Sequence, residues 1–227
     1  YRKAIFIGYD LIKKQGFLRV NDIISIQQEL IDNTAGIRST PGTVLKNDNT
    51  GEVVYTPPQD KIEILDLLSN FISHLNQAEE DLSPLINLAI LHYQFESIHP
   101  FYDGNGRTGR ILNILYLILN DLIDIPILYL SSYITENKPD YYRLLNQTNR
   151  TGEWEDWIIF MLKAIETTSL NIIEKVTRIR QLLNETIIKV QNNAPKIYKK
   201  ELVELLFEQP YSKIDFVVQK LGVERKA

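Results

Sequence analysis

Residues 105–122 restrict the fold of this chain more than any other segment. The stretch from Ile111 to Ile123 is long and predominantly apolar, and on a helix its apolar residues surround the axis instead of forming one stripe. A helix of that kind is buried on all sides, so other elements must pack around it. The chain has 227 residues, 44% of them hydrophobic, which suffices for one medium-sized domain, alone or with a small appendage.

Apolar residues recur at helical spacing on both sides of this central segment, which predicts an all-α fold. The predicted helices span residues 1–15, 21–33, 60–77, 84–97, 105–122, 127–135, 138–149, 153–170, 171–192, 197–208 and 212–221. One region differs, because Thr, Val and Tyr are frequent between Gly36 and Pro58 and turn signals occur at 41–42 and 47–51. This region predicts a small β-hairpin around residues 43–55.

The chain is predicted to consist of three regions. Residues 1–60 hold the N-terminal helices and the hairpin, residues 61–192 the helical core, and residues 193–227 a small C-terminal module. The second boundary follows from the segment Asn192-Asn193-Ala194-Pro195, which is typical of a linker. The two short amphipathic helices after it resemble the beginning of a helix-turn-helix or winged helix, cut off before a recognition helix is complete.

Composition narrows the functional classes. The net charge of −4 gives no overall attraction to nucleic acid or to an anionic membrane. No stretch reaches the ~18 uninterrupted apolar residues of a membrane span. The absence of Cys excludes disulfides and thiolate metal sites, and it agrees with a cytoplasmic location. Because the sequence starts at Tyr1 without Met or a signal peptide, we expect a piece of a longer protein.

A polar, glycine-rich run, His99-Pro-Phe-Tyr-Asp-Gly-Asn-Gly-Arg-Thr-Gly-Arg110, precedes the apolar part of the central helix. It predicts a loop that leads into a helix N-terminus, where backbone N–H groups and the helix dipole favour a bound anion. His99 has a near-neutral pKa that suits proton abstraction from a hydroxyl. Asp103 offers hard oxygen ligands suited to Mg²⁺ that is held largely by phosphates and water.

The remaining residues of the run fit phosphate binding. Gly104, Asn105 and Gly106 allow successive N–H groups to converge on an anion, because glycine tolerates the backbone angles that this requires. Arg107 and Arg110 are three residues apart, so they occupy neighbouring positions on the first helical turns and both reach one polyphosphate. A base, a metal ligand and an anion site together predict nucleotidyl or phosphoryl transfer.

The run resembles the signature of the Fic family, His-Pro-Phe-x-Asp/Glu-Gly-Asn-Gly-Arg-x-x-Arg, at every fixed position. Residues 95–98, the hairpin at 43–55, Tyr141-Tyr142 and residues 154–160 are also similar, so the resemblance covers roughly residues 1–190 in layout. It implies an all-helical Fic fold around a buried central helix. It further implies an enzyme that transfers AMP from ATP to a hydroxyl side chain of a target protein and releases pyrophosphate.

The resemblance also implies a role for each residue of the run. His99 would deprotonate the target Ser, Thr or Tyr, and Asp103 would hold Mg²⁺ that bridges the phosphates of ATP. The residues that bind ATP phosphates would be Gly104, Asn105, Gly106, Arg107 and Arg110. The loop amides would form the anion hole, and the two arginines would hold the β- and γ-phosphates.

Further expectations concern residues outside the run. The hairpin would dock an extended stretch of the target by strand addition. Tyr142 and Asn149, seven residues apart, match positions that contact adenine in related proteins, although Tyr142 fits core packing equally well. Exposed helices in Fic proteins often pair, so a homodimer is expected as well.

Many Fic proteins carry an inhibitory helix of pattern Ser/Thr-x-x-x-Glu-Gly/Asn. Residues 132–137 fit this pattern, but they follow the central helix, where the family has a short Ser-x-x-Ile helix, so we interpret the match as chance. Residues 25–29 fail at the next position, which is Leu30. We expect any inhibitory helix to lie upstream of Tyr1.

Two other functions stay open on sequence grounds. The same loop can carry another transfer, such as phosphorylation, transfer of another nucleotide or removal of AMP, although Doc-like kinases alter the Gly-Asn-Gly segment that is intact here. Alternatively, the C-terminal helices bind DNA and the core acts as a sensor, against which the acidic composition argues.

Three other features have plainer interpretations. His74 and His92 fit structural histidines, and Trp154 and Trp157 fit core packing. Near the base of the hairpin, contact with a target and turn chemistry are equally good interpretations of Asn33, Thr34 and Arg38.

Overall fold

The computed structural model describes residues 1–46, 51, 53–77, 82–208 and 211–222. This part of the chain contains ten helices and one two-stranded sheet. The helices are α1 (Arg2–Gln15), α2 (Val20–Ile31), α3 (Lys61–Asn76), α4 (Pro84–Ile98), α5 (Asn105–Leu119), α6 (Ser131–Glu136), α7 (Lys138–Thr151), α8 (Glu155–Asn193), α9 (Lys200–Glu208) and α10 (Ile214–Leu221). The strands are β1 (Leu45–Lys46) and β2 (Val53–Tyr55). The predicted all-α fold with a small hairpin is confirmed.

Helix α5 is the buried central helix that the sequence predicts. All residues from 111 to 118 are buried. The helix ends at Leu119 rather than at the predicted residue 122, because Asp121 adopts a left-handed conformation with φ 53°. The N–H groups of Asp121 and Leu122 return to carbonyl oxygens of the last turn at 3.1 and 2.9 Å. These two bonds form a Schellman motif, which terminates a helix.

The helices around α5 approach it closely. α1, α2 and α4 pack against α5, and α3 packs against α4. A Cβ atom at Gly8 in α1 would clash with Cδ1 of Leu115, so no other residue allows this approach without a shift. Trp157 of α8 is fully buried, as predicted, and its Nε1 donates to the carbonyl of Ala89 at 2.9 Å. Trp154 is half-buried.

The β-hairpin lies where the sequence predicts it. β1 and β2 pair as antiparallel strands. Residues 47–50 and 52, which include most of the predicted turn, lie outside the described residues. Gln59 closes the base of the hairpin, because its Oε1 accepts the N–H of Gly42 at 2.6 Å and its Nε2 donates to the carbonyl of Thr43 at 3.0 Å.

The helix predicted at 127–135 begins later, as α6. The N–H of Ile127 bonds the carbonyl of Ile125 at 2.8 Å in a tight turn. The first helical bond of α6 runs from the N–H of Ile134 to the carbonyl of Leu130, at 3.1 Å. The backbone around Ile127 therefore forms a turn and not the first turn of the helix.

The helices predicted at 153–170 and 171–192 form one continuous helix, α8. No Gly or Pro occurs within α8, so nothing in its sequence breaks the helix. The chain divides into two compact units, residues 1–169 and 170–227, and α8 continues from the first unit into the second.

The second unit also contains α9 and α10, which pack against each other. They correspond to the helices predicted at 197–208 and 212–221 and begin a few residues later. The predicted domain boundaries at 60/61 and 192/193 stay predictions. Within the described ranges, no helix combines the length and the hydrophobicity that a membrane crossing requires.

Candidate active site

Residues 99–104 link the end of α4 to the start of α5, so the predicted loop is short. His99 ends α4 in a left-handed conformation with φ 47°. Gly104, just before α5, is also left-handed, with φ 83°. Phe101 is fully buried, with its ring centroid 6.5 Å from that of Phe95. The loop is therefore pinned to the core at its middle, and both of its ends have special backbone conformations.

The N-terminus of α5 is built from backbone groups. A Cβ atom at Gly104 would lie 2.6 Å from Cδ1 of Ile31, so no other residue fits this position without a shift. The first hydrogen bond of α5 runs from the N–H of Thr108 to the carbonyl of Gly104, at 2.8 Å. The N–H groups of residues 105–107 consequently have no partner within the helix. Such a helix end favours a bound anion.

Asn105 braces the loop with its side chain. The residue is buried, and both polar atoms of its amide bond the backbone of Phe101. Contact between Asn105 and a phosphate therefore stays a prediction. The side chain is already bonded to the loop, so the backbone N–H of Asn105 would make this contact.

The His99 imidazole is in its unprotonated form. The side chain is partly exposed, while its Nδ1 atom is buried. Burial lowers the pKa of His99 to about 4; the backbone of Glu96 partly opposes this shift, and the charge of Arg38 adds to it. The imidazole is therefore neutral at pH 7, which is the form that a general base needs.

Asp103 and Arg107 form an exposed ion pair at the same helix end. Their closest oxygen and nitrogen atoms are 3.4 Å apart, and the side chains are 67% and 46% exposed. Asp103 Oδ1 accepts the N–H of Gly104 at 2.6 Å, and Gln27 Nε2 donates to the Asp103 carbonyl at 3.0 Å. Among the described residues no group of three or more metal-ligating side chains occurs. A Mg²⁺ ion here fits if substrate phosphates and water complete its coordination, as Mg²⁺ prefers.

Arg110 lies one turn further along α5 and is half-buried. Its Nε donates to Oγ of Ser131 at 2.9 Å. A Cβ atom at Gly106 would lie 3.2 Å from Nη1 of Arg110 and 3.7 Å from Oε1 of Glu96, so the glycine leaves room for both groups. Arg110 is thus held from the side by α6, and Glu96 lies beneath the first turn of α5.

Glu96 and Ser131 are the site residues that sequence reasoning missed. Glu96 is buried, and burial raises its pKa to about 7, against the opposing charge of Arg110. Its signal in the sequence is a single carboxylate in the apolar helix α4, just before the glycine-rich run. Ser131 carries no comparable signal, because only the fold brings it to Arg110.

His92 is structural, in agreement with the sequence-based interpretation. Nδ2 of Asn113 lies 3.0 Å from Nδ1 of His92, and the hydroxyl of Tyr141 lies 3.0 Å from Nε2. The ring stacks on Trp157 at an interplanar angle of 2°. Burial lowers the pKa of His92 to about 3, so the ring is a neutral member of the core.

Tyr142 and Asn149 share an exposed face of α7. Nζ of Lys138 lies 5.7 Å from the centroid of the Tyr142 ring, and Oδ1 of Asn149 accepts a hydrogen bond from the Tyr93 hydroxyl at 3.5 Å. Because Tyr142 is 49% exposed, its side chain is open to a ligand and the alternative of core packing is wrong. The adenine contacts themselves stay predictions.

The base of the hairpin is attached to the same loop. The hydroxyl of Tyr55 in β2 donates to the carbonyl of Ser97 at 3.0 Å. On the other side, Ile37 forms an antiparallel β-bridge with Phe101. Arg38 is fully buried, so its side chain is not available for the contact with a target that the sequence left open.

Family comparison identifies two segments. Residues 17–117 match the model of the Fic/DOC family. Residues 182–227 match the C-terminal domain of SoFic-like protein adenylyltransferases.

Among curated proteins, the chain is similar to the protein adenylyltransferase Fic of Nematostella vectensis. The two are 29% identical over 168 residues, which is 72% of this chain and 36% of that protein. It is also 26% identical to the protein adenylyltransferase fic-1 of Caenorhabditis briggsae over 188 residues, 74% of this chain and 34% of that protein. The chain thus spans about a third of the length of these relatives.

Solved structures show the same fold. A Fic family protein from Desulfovibrio desulfuricans G20 superposes with a TM-score of 0.64 at 20% identity, covering 98% of this chain and 62% of that one. Fic-1 from C. elegans superposes with a TM-score of 0.55 at 23% identity, covering 74% and 47%. By the two family matches, the chain contains a Fic/DOC family domain at residues 17–117, followed by a SoFic-like C-terminal domain at residues 182–227.

Proposed function

We propose that this chain is a protein adenylyltransferase, which transfers AMP from ATP to a hydroxyl side chain of a target protein and releases pyrophosphate. One observation carries the proposal: the neutral imidazole of His99 lies in the six-residue loop that leads to a helix end whose first N–H groups have no partner within the helix. The relatives named protein adenylyltransferases support the same activity.

The start of α5 binds the triphosphate in this proposal. The N–H groups of residues 105–107 donate to phosphate oxygens, and Gly104 and Gly106 keep side chains away from them. Arg107 and Arg110 hold the β- and γ-phosphates through charge-assisted hydrogen bonds. Binding of ATP separates Arg107 from Asp103, which costs little because the pair is exposed.

His99 carries the proton transfer. Its imidazole accepts the proton of the target hydroxyl as the oxygen forms a bond to the α-phosphorus of ATP. The bond between that phosphorus and the bridging oxygen of the β-phosphate breaks, and the electron pair leaves with pyrophosphate. Transfer of this kind depends chiefly on positioning and charge neutralisation.

Asp103 is the proposed Mg²⁺ ligand. When bound, Mg²⁺ supplies positive charge that neutralises the phosphate oxygens. The exposed carboxylate of Asp103 accepts one backbone N–H and keeps further lone pairs for the ion.

The hairpin and α7 are the proposed recognition elements. Because β1 and β2 form a sheet of two strands, each strand keeps an open edge to which an extended target segment can add. Tyr142 and Asn149 contact the adenine from α7. A homodimer and a cytoplasmic location complete the proposal, to be tested by light scattering and cell fractionation. DNA binding by residues 193–227 stays the alternative function, and a salt-dependent DNA shift tests it.

Incubation of the chain with α-³²P-ATP, Mg²⁺ and cellular protein tests the activity. We expect label on protein, lost in His99→Ala without loss of ATP binding, whereas Arg110→Ala weakens ATP binding. His74→Ala, an exposed histidine on α3, is the matched control and keeps the activity. Absence of label from the wild-type chain and all protein substrates contradicts the proposal.

Mass spectrometry of the labelled protein separates the alternative transfers. An added mass of one AMP supports adenylyl transfer, and an added phosphate or another nucleotide supports a different transfer on the same loop. Loss of mass from a target that already carries AMP would instead identify removal of AMP.

A further inference from the structure

The segment before the hairpin runs along the catalytic loop. Ile37 and Phe101 form an antiparallel β-bridge, and the N–H of Arg38 donates to the carbonyl of Pro100 at 3.0 Å. The N–H groups of the next two residues, 39 and 40, donate to the hydroxyl of Tyr102 at 2.9 and 3.1 Å. Residues 37–40 therefore support the whole first half of the loop.

The guanidinium of Arg38 donates hydrogen bonds to three backbone carbonyls. Its Nε donates to the carbonyl of His99 at 2.7 Å, and its Nη2 donates to Ile98 at 3.2 Å and also to Pro58. The side chain is fully buried, and no carboxylate of the described residues forms an ion pair with it. The carbonyls at a helix C-terminus lack helical partners and carry partial negative charge. Arg38 is thus bound to the backbone at the end of α4.

His99 needs such support because its backbone is strained. A left-handed conformation is unfavourable for a residue with a Cβ atom, by roughly 1–2 kcal/mol. The φ of His99 is 47°. The bond from Arg38 attaches to the carbonyl of the same residue, so it acts directly on the ψ angle that sets the direction of the following chain.

We infer that Arg38 is a positioning residue for the transfer step: its guanidinium holds the backbone of His99 in the left-handed conformation that presents the imidazole beside the start of α5. This inference depends on the proposed function, in which His99 accepts the proton of the target hydroxyl. Arg38 touches neither ATP nor target in this account, since it acts only through His99.

Lysine cannot replace arginine in this role. Lysine keeps the charge, but its single ammonium group does not match the fixed fork with which Arg38 reaches three carbonyls. Arg38→Lys should therefore lower kcat for AMP transfer about tenfold or more, since a misplacement of about 1 Å can cost about a hundredfold in rate. The KM for ATP should stay within about twofold, because the phosphate-binding residues lie on α5. Arg178→Lys, an exposed arginine of α8, is the matched control.

A spectroscopic measurement tests the same inference without activity. The ¹³Cα and ¹³Cβ chemical shifts of His99 report its backbone conformation, and we expect them to leave left-handed values in Arg38→Lys. Unchanged His99 shifts in the folded variant would overturn the inference, and so would an unchanged kcat. A rise in KM for ATP at constant kcat would also overturn it, because Arg38 would then act on nucleotide binding.

Tyr102→Phe covers the case in which Arg38→Lys does not fold. Tyr102 is 50% exposed, so the loss of its hydroxyl removes three hydrogen bonds to residues 39 and 40 with little risk to the core. We expect a several-fold lower kcat, an unchanged KM for ATP and shifted His99 resonances; unshifted resonances would count against the support of the loop by residues 37–40. If the wild-type chain transfers no AMP, the proposed function fails and the inferred role in transfer fails with it, whereas the His99 shifts still decide whether Arg38 fixes the backbone of His99.

Discussion

The side-chain amide of Asn105 bonds both backbone groups of Phe101. Its Oδ1 accepts the N–H of Phe101 at 2.9 Å, and its Nδ2 donates to the carbonyl of Phe101 at 2.7 Å. The amide therefore closes the loop in the way that a neighbouring strand would. The side chain of Asn105 is therefore buried, and its hydrogen bonds are made to the backbone of the loop.

Asn105→Ala should destabilise the protein rather than only weaken phosphate binding. The substitution leaves two buried backbone groups of Phe101 without partners, which costs about 1–3 kcal/mol for each unsatisfied group. We expect the free energy of unfolding in urea to fall by about 2 kcal/mol or more. Asn146→Ala on α7 is the comparison, and equal stability of the two variants would contradict the structural role of Asn105.

Gly104→Ala should damage the site for two separable reasons. The φ of 83° is unfavourable for alanine, and the new Cβ would lie 2.6 Å from Cδ1 of Ile31. Gly16 has a similar φ of 76° but nothing within 4 Å of its Cβ position, so Gly16→Ala measures the backbone effect alone. We expect Gly16→Ala to cost about 1 kcal/mol and Gly104→Ala to cost about 1–3 kcal/mol more in thermal or urea unfolding.

The contact with Ile31 supplies the control for this prediction. Ile31→Ala in the Gly104→Ala background should recover part of the lost stability, because it removes the atoms that clash. If the double variant is no more stable than expected from the two single variants, the clash does not account for the effect.

The pH dependence of transfer should show no base with an ordinary histidine pKa. Burial lowers the pKa of His99 to about 4, so this group binds its proton less tightly in the folded than in the unfolded chain. The neutral imidazole is therefore present across the neutral range and is lost only as the pH falls toward 4. We expect the NMR titration midpoint of His99 to lie near pH 4. A midpoint for His99 near 6.5, its ordinary value, would contradict this environment.

Glu96 should make stability fall as the pH rises. Burial raises its pKa from 4.5 to about 7, so the folded state binds this proton more tightly than the unfolded state. The resulting stabilisation is complete below about pH 4.5 and is lost as the pH rises through about 7. Glu96→Gln has no carboxyl to ionise. Its stability relative to wild type should therefore increase between about pH 4.5 and pH 8, by up to about 3 kcal/mol.

Urea unfolding of both proteins across this pH range measures the effect. Glu166→Gln, on an exposed position of α8, is the matched control and should differ from wild type by less than about 0.5 kcal/mol at each pH. A Glu96→Gln variant whose relative stability does not change with pH would show that the carboxyl is already ionised throughout.

The sequence identifies the parts of this site that follow one another along the chain. The all-round hydrophobicity of residues 111–118 predicts the central helix, and the glycines before it predict the helix end with free N–H groups. The sequence does not predict the contacts that tertiary packing creates. Arg38 resembles any loop arginine until the fold buries it under His99. Likewise, Asn105 resembles a ligand-binding amide until its partners are known.

The position of Arg110 also depends on a contact that only tertiary packing creates. Arg110 donates from Nε to Oγ of Ser131 at 2.9 Å, a contact across 21 residues of sequence. Ser131→Ala should free the guanidinium to take other rotamers, so ATP binding must order it at a cost of about 1 kcal/mol. We expect the KM for ATP to rise about fivefold at nearly constant kcat, while Arg110→Ala raises it further. Ser132→Ala, next in sequence, removes a hydroxyl that donates to the nearby carbonyl of Tyr129 and should leave KM unchanged. Equal KM values for the two serine variants would mean that Arg110 is positioned without Ser131.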